Sequence, residues 1–147
     1  PAGLLLNIGK LIRLSLNPEQ DQEIRRAMRI GTCSYAKAEA SLSLPDQHVL
    51  GASLLYKWEL PLPYVEVALY GERPDPLAGP GTQESLALRR IVSAAASLRG
   101  VTLNRTSSQE RSENQARAQS LLQLTDKAFL EEMAVVYQLR PTVDSLL

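Results

Sequence analysis

Proline and glycine cut this chain into pieces of helical length, and that punctuation constrains the fold more than any other feature. Asn17-Pro18, Gly31, Pro45, Pro61-Leu62-Pro63, the Gly/Pro-rich run from Gly71 to Gly81, Gly100 and Pro141 bound segments whose apolar residues recur three and four apart. Leu4, Leu5, Ile8, Leu11 and Ile12 carry that spacing in the first segment, which predicts a helix to about Arg13. Asn17-Pro18-Glu19 is a start signal: a capping side chain, proline at the first helical position, then an acid near the positive end of the dipole. The helix it opens is expected to run to about Ile30 and end at Gly31. Ser34–Leu42 reads as a short Ala-rich helix. Pro45-Asp46 opens another, with Leu50, Leu54, Leu55 and Trp58 on one side and Trp58 expected in the core.

Tyr64–Tyr70 fits either period. Val65, Val67 and Leu69 alternate like a strand, whereas Val65, Ala68 and Leu69 suit a helical turn. No other segment offers a strand partner, so helix is expected. Residues 71–84 read as a loop, with Ser85 capping the next helix. In that helix Leu88, Ile91, Val92, Ala95 and Leu98 form the predicted buried stripe, and Gly100 stops it. A polar surface loop is expected over 101–112, followed by helices at about 113–123 and 126–139 with Thr125 as cap. Phe129, Met133, Val136, Tyr137 and Arg140 line up on the last, which Pro141 should end or kink. Aromatic residues make up only 5% of the chain, with one Phe and one Trp, which suits an all-α, Ala/Leu-rich fold. About six to seven helices in a single domain are predicted.

The titratable residues limit the chemistry. One His excludes any site that needs two imidazoles, and one Cys excludes an intrachain disulfide and a thiolate zinc cluster. The 16 basic and 16 acidic residues balance, with 8 of each in residues 1–74 and 8 of each in 75–147. Nucleic-acid binding needs a basic excess on one face, so no nucleic-acid partner is expected. The apolar stretch at the start is too short for a membrane span, and Asn7 and Lys10 interrupt it. It also lacks the basic region and cleavage site of a signal peptide, so a cytoplasmic protein without membrane contact is expected. No phosphate-binding loop, His-Glu-x-x-His or Gly-x-Ser-x-Gly occurs. Cys33 is expected as a small packed or half-exposed thiol, and His48 as a surface or capping-region residue.

Four motifs, in this order and spacing, point to one family. They are Gly3-Leu-Leu-Leu-Asn-Ile-Gly-Lys-Leu11, Gly51-Ala-Ser-Leu-Leu-Tyr-Lys-Trp-Glu-Leu-Pro61, Tyr64-Val-Glu-Val-Ala-Leu-Tyr70 with Arg73-Pro74 after it, and Ile91-Val-Ser-Ala-Ala-Ala-Ser-Leu98. The chain resembles the HDOD family, the HD-related output domains of bacterial signalling proteins, over about residues 3–100. These domains are helical relatives of the HD-type metal-dependent phosphohydrolases. The resemblance implies a helical bundle of the HD/HDOD type. It also implies that the chain is the C-terminal portion of a longer domain whose opening helices are missing. Such a half would expose apolar surface and tend to dimerise.

The departures from the phosphohydrolase pattern fall on the metal positions. Leu6-Asn7 stands where the pattern has His-Asp. Gln47 stands where a His commonly precedes Gly-Ala, with His48 one place off. Gly71-Glu72 stands where a His pair follows the Tyr, and Ala96 where a late helix supplies Asp. Leu6, Gly71 and Ala96 cannot donate to a metal, and Asn7 and Gln47 are weak neutral ligands. No catalytic residue, metal or cofactor is therefore expected. The resemblance implies a non-enzymatic regulatory module that works through protein partners. An alternative is a vacated pocket lined by Leu6, Asn7, Gln47, His48 and Glu72 that holds a small molecule or nucleotide, unless Leu6 and Ala96 fill it. Residual metal-dependent hydrolysis is the third reading.

Overall fold

The computed structural model describes residues 2–73, 75–102 and 107–144, with backbone alone at 100, 102 and 139–144. Among the described residues there are nine helices and no strand. They are α1 (Ala2–Leu5), α2 (Ile8–Leu16), α3 (Pro18–Gly31), α4 (Tyr35–Ser41), α5 (Gln47–Lys57), α6 (Leu62–Tyr70), α7 (Gln83–Thr102), α8 (Ser108–Leu122) and α9 (Asp126–Asp144). The protein is all-α. Two compact units divide the chain, Pro1–Arg89 and Arg90–Leu147. None of the helices of the described residues is long and apolar enough to cross a membrane.

Side-chain caps start most of the helices. Asn17 Oδ1 accepts from the Gln20 N–H at 3.2 Å with Pro18 at the first helical position. Ser34 Oγ accepts from Lys37 N–H at 3.3 Å, and Asp46 Oδ1 from His48 N–H at 2.7 Å. Thr125 caps α9 as expected, its Oγ1 accepting from Ala128 N–H at 3.3 Å. The ambiguous Tyr64–Tyr70 stretch is helical, inside α6.

In the first unit α2 packs on α3 and α5, α5 on α6, α3 on α4, and α1 on α6. Its apolar core is Ala52, Leu55, Val65 and Ala68, with Leu5, Ile8, Leu60 and Leu69 packed around them. In the second unit Ala94, Ala118, Phe129 and Met133 form a core with Leu98, Leu121, Leu122 and Leu124 around it.

Several expectations are corrected. The first segment is two helices, not one, because the chain turns at Leu6-Asn7. Trp58 is not in the core. It caps the end of α5, where Glu59 takes a left-handed conformation (φ 57°), and 58% of it is exposed. Leu55 is the buried member of that stripe.

On α7 the inward residues are Ser85, Arg89, Val92, Ser93 and Ala94, while Ile91 and Ala95 are exposed. Thr82, not Ser85, caps the helix, through Oγ1 to the Ser85 N–H at 3.2 Å. Ser85 is buried instead, its hydroxyl donating to Glu66. Gly100 does not stop α7, which continues to Thr102. The loop expected over 101–112 is largely helix. Its residues 103–106 lie outside the described residues, but α8 opens at Ser108 through a capping box between Ser107 and Glu110. Those bonds hold the exposed Glu110 carboxyl below its ordinary value, with the Ser107 backbone N–H as the main cause. Pro141 does not end α9, whose backbone stays helical to Asp144. Val136 and Tyr137 are exposed rather than packed with Phe129 and Met133, and the side chain of Arg140 and all of Pro74 lie outside the described residues.

One buried residue binds three carbonyls of the Gly/Pro-rich run in the first unit. Arg89 is fully buried, and its guanidinium donates to the carbonyl oxygens of Pro76 (3.4 Å), Ala78 (3.2 Å) and Pro80 (2.9 Å). It lies 4.8 Å from the centre of the Tyr70 ring and 3.5 Å from Glu66. Those bonds tie three carbonyls of the segment to one buried side chain, so losing them should favour local opening. Arg89→Gln removes the fork and the charge. We expect limited proteolysis of the folded protein to cut within residues 76–81 at least about tenfold faster in the variant, equivalent to roughly 1.4 kcal/mol of local opening. An unchanged cleavage rate there would refute the assignment.

Candidate functional site

The turn between α1 and α2, the first turn of α5 and the end of α6 carry six of the seven candidate positions: Leu6, Asn7, Gln47, His48, Gly71 and Glu72. Two glycines make the approach of α2 to α5 possible. A Cβ on Gly9 would run into the Gln47 carbonyl, far inside the 3.0 Å that real Cβ atoms respect. One on Gly51 would lie 2.9 Å from Ile8 Cγ2 and 3.1 Å from Gly9 N. The backbones of the two family-like motifs therefore touch, and this contact seats Gln47 and His48 over α2.

Leu6 is 5% exposed, and its Cδ1 lies 2.5 Å from where a Cβ of Gly71 would stand. An apolar side chain thus packs over a residue that has none. Asn7 Oδ1 accepts from Lys10 Nζ at 2.7 Å, and the same ammonium is 3.8 Å from Glu72 Oε2.

His48 lies in the first turn of α5, the capping region, with its backbone N–H donating to Asp46, but it is buried rather than on the surface, because α5 packs against α6. Its Nδ1 lies 3.1 Å from the Ala68 carbonyl oxygen, which can only accept. Its Nε2 lies 3.0 Å from Gln47 Nε2, which can only donate. Both ring nitrogens are thus engaged by protein groups, Nδ1 donating to the Ala68 carbonyl and Nε2 accepting from the Gln47 amide. Glu72 Oε2 is 4.0 Å from Nε2. Ala96 lies half-buried on α7 in the second unit. Cys33 is half-buried with Sγ 4.0 Å from the Ala27 carbonyl oxygen.

Behind this cluster runs a buried polar network that periodicity did not indicate. Arg13 on α2 pairs with Glu39 on α4, and both are nearly inaccessible. Arg13 also donates to the Pro45 carbonyl. Glu39 Oε1 accepts from the Gln47 N–H at 3.0 Å, which ties the pair to the site. Tyr35 stacks under Lys10 (5.2 Å) and Arg13 (6.0 Å), and its hydroxyl donates to Asp21 at 3.0 Å. Asp21 also accepts from Arg25 Nε at 2.6 Å. Three buried polar atoms in this region have no hydrogen-bond partner: Arg13 Nε, Glu39 Oε2 and Gln47 Oε1.

Burial pushes the Glu39 carboxyl above its ordinary value, against the opposing pull of Arg13 and the Gln47 N–H. A raised carboxyl means that the folded chain binds the extra proton over a window where the unfolded chain has lost it. Stability from this group is therefore full below the ordinary carboxylate range and declines as pH rises through the raised value. Glu39→Gln removes the titration. In urea melts from acidic to neutral pH, we expect the stability of wild type relative to Glu39→Gln to fall as pH rises. A difference independent of pH would contradict the sign.

As a metal site the residues do not fit. Leu6 and Gly71 bring no donor, Asn7 is engaged by Lys10, and both ring nitrogens of His48 face protein partners. Among the described residues no group of three or more His, Cys, Asp or Glu side chains is placed to hold a metal ion.

A family model described as HDOD domain matches residues 1–74, which contain all the candidate positions except Ala96. The fourth motif, Ile91–Leu98, lies beyond the match. No curated protein and no solved structure matches the chain. The matched half carries the Gly9–Gly51 contact and the cluster around His48, and an HDOD domain is a signalling-related helical domain. With half its length matched, and with the helical architecture such a domain requires, the chain belongs to the HDOD family.

Proposed function

We propose that the chain is a non-enzymatic output domain of a bacterial signal-transduction protein, working in the cytoplasm through protein contacts. One observation carries the reading. At the positions where HD phosphohydrolases hold metal, Leu6 packs over Gly71, and Asn7, Gln47, His48 and Glu72 contact one another or neighbouring protein groups. Hydrolysis by that chemistry needs open donors around a metal that acidifies water, and this arrangement supplies packing instead. The kept helices then serve as a scaffold whose outer faces meet partners.

The test is turnover. The purified chain, supplied in turn with iron(II), manganese(II) and magnesium, is assayed on bis-(p-nitrophenyl) phosphate and on nucleoside monophosphates. The expected result is no hydrolysis above the buffer rate. Hydrolysis that His48→Ala abolishes would overturn the reading.

A second reading, ligand binding without turnover, has one observation in its favour: Gln47 Oε1 is buried without a partner, an acceptor that a ligand donor could satisfy. Thermal-shift measurements with saturating nucleotides and cyclic dinucleotides decide it. A ligand at a hundred times its Kd stabilises by about 2.7 kcal/mol, so no shift removes this reading.

A further inference from the structure

The outward face of α3 has a charge pattern that its own helix does not satisfy. Glu19, Gln22, Glu23, Arg26, Arg29 and Ile30 are all exposed and fall three, four and seven apart on one stripe, opposite the buried Asp21 and Ile24. All of these but Ile30 border, together with Arg25, a furrow of about 500 Å3. Along the stripe the acids come first and the bases last. Arg25 at its edge is paired with Asp21. Glu19, Glu23, Arg26 and Arg29 form no ion pair among the described residues.

The helix dipole accounts for only part of this order. Its influence fades within the first and last turns, so it favours Glu19 and Arg29 but not Glu23 and Arg26 in the middle. Within the stripe only Glu23 and Arg26, at i,i+3, have attractive spacing, and the remaining charged neighbours on and beside it are of like charge. Glu19 and Glu23 sit at i,i+4, as do Arg25 and Arg29, and like charges at that spacing repel. A stripe with acids at one end and bases at the other is complementary to itself when turned end over end. A two-fold axis across α3 sets Glu19 against the second copy's Arg29 and Glu23 against the second copy's Arg26. Every like-charge pair of the single helix then gains opposite neighbours. Ile30, 76% exposed, adds apolar area at each end. Twofold pairing of one patch with itself is the commonest form of homo-oligomer.

We propose that this face of α3 is a self-association surface whose occupant is α3 of a second copy, antiparallel to the first. It rests on the protein-contact reading above only in naming a partner, and the two fail separately: a monomeric chain sinks this interface, whereas metal-dependent hydrolysis sinks that reading. The helix is about 21 Å long, so the contact is small and the dimer is a transient one. Screening sets its signature, because the Debye length shrinks from roughly 30 Å at 0.01 M salt to 3 Å at 1 M.

The experiment is sedimentation of the 147-residue chain at increasing concentration, up to about the millimolar range where weak contacts register. It is run in low and in high salt. Two variants accompany it, Glu19→Arg/Glu23→Arg and Arg26→Glu/Arg29→Glu. Wild type is expected to dimerise in low salt and to lose affinity at least several-fold in high salt. Each variant alone is expected to stay monomeric, since its stripe carries one sign. Their equimolar mixture is expected to form the mixed dimer, with circular dichroism confirming that both are folded. The wild-type salt series decides the matter even if a variant fails to fold. A chain that stays monomeric at every concentration, a dimer indifferent to salt, or folded variants that do not associate on mixing would each overturn the proposal.

Discussion

Gly9→Ala is expected to cost about 3 kcal/mol or more of folding stability, enough to take up much of the roughly 5–15 kcal/mol that holds a domain together. The added Cβ would meet the Gln47 carbonyl carbon at 2.7 Å and the Gly51 N at 3.1 Å, and these are backbone atoms that no rotamer change can move aside. The variant either separates α2 from α5 or unfolds the first unit. Gly3→Ala is the matched control. Nothing lies within 4 Å of its Cβ, and alanine is the better helix former, so that variant should be neutral or slightly stabilising. Urea denaturation of the two side by side checks the prediction. Equal stability of both variants would mean that the motif glycines do not mark a helix crossing.

The second large effect concerns a charge. Arg13→Met is expected to destabilise by about 3–5 kcal/mol, because Glu39 is left nearly inaccessible with no cation beside it. The double variant Arg13→Met/Glu39→Leu should recover most of that loss, since removing both partners of a buried pair is often close to neutral. The same argument gives a pH signature. Burial already raises the Glu39 carboxyl, so protonation relieves the single variant and its deficit should shrink as pH falls. A double variant no more stable than the single one would show that the pair contributes packing rather than charge compensation.

How far the sequence discloses this molecule depends on the range of the interaction. Helix starts governed by a side chain two or three residues away, at Asn17, Ser34, Asp46 and Thr125, are readable, because cap and amide are close in the chain. The capping box at Ser107 and Glu110 is equally local, but its polar surroundings resemble a loop, which conceals the start of α8 and leaves only its later part, from about residue 113, readable as helix. Trp58 departs from the expected burial for a similar reason. It continues the apolar spacing of α5, yet the chain turns at Glu59 and carries it away from the core.

The sequence names six candidate positions that the fold brings near one another, but it does not disclose their arrangement. Nothing in spacing pairs Arg13 with Glu39, 26 residues on, or says that His48 reaches the Ala68 carbonyl, 20 residues on. Helix packing decides both contacts. Gly9 and Gly51 were visible as motif letters, while their physical meaning, a backbone contact between α2 and α5, needed coordinates. Leu6 shows the same limit. Its chemistry excludes metal ligation from sequence alone, but that it packs over Gly71 is a property of the turn between α1 and α2.

The proposal most open to direct test is that this HDOD domain does not carry the metal chemistry of HD phosphohydrolases. Metal content tests it most directly. The chain is expressed with iron and manganese supplied, purified without chelator, and analysed by inductively coupled plasma mass spectrometry beside its His48→Ala variant. The account predicts far less than stoichiometric iron, manganese or zinc in both. Metal bound in a one-to-one ratio with the wild-type chain and lost in His48→Ala would contradict it.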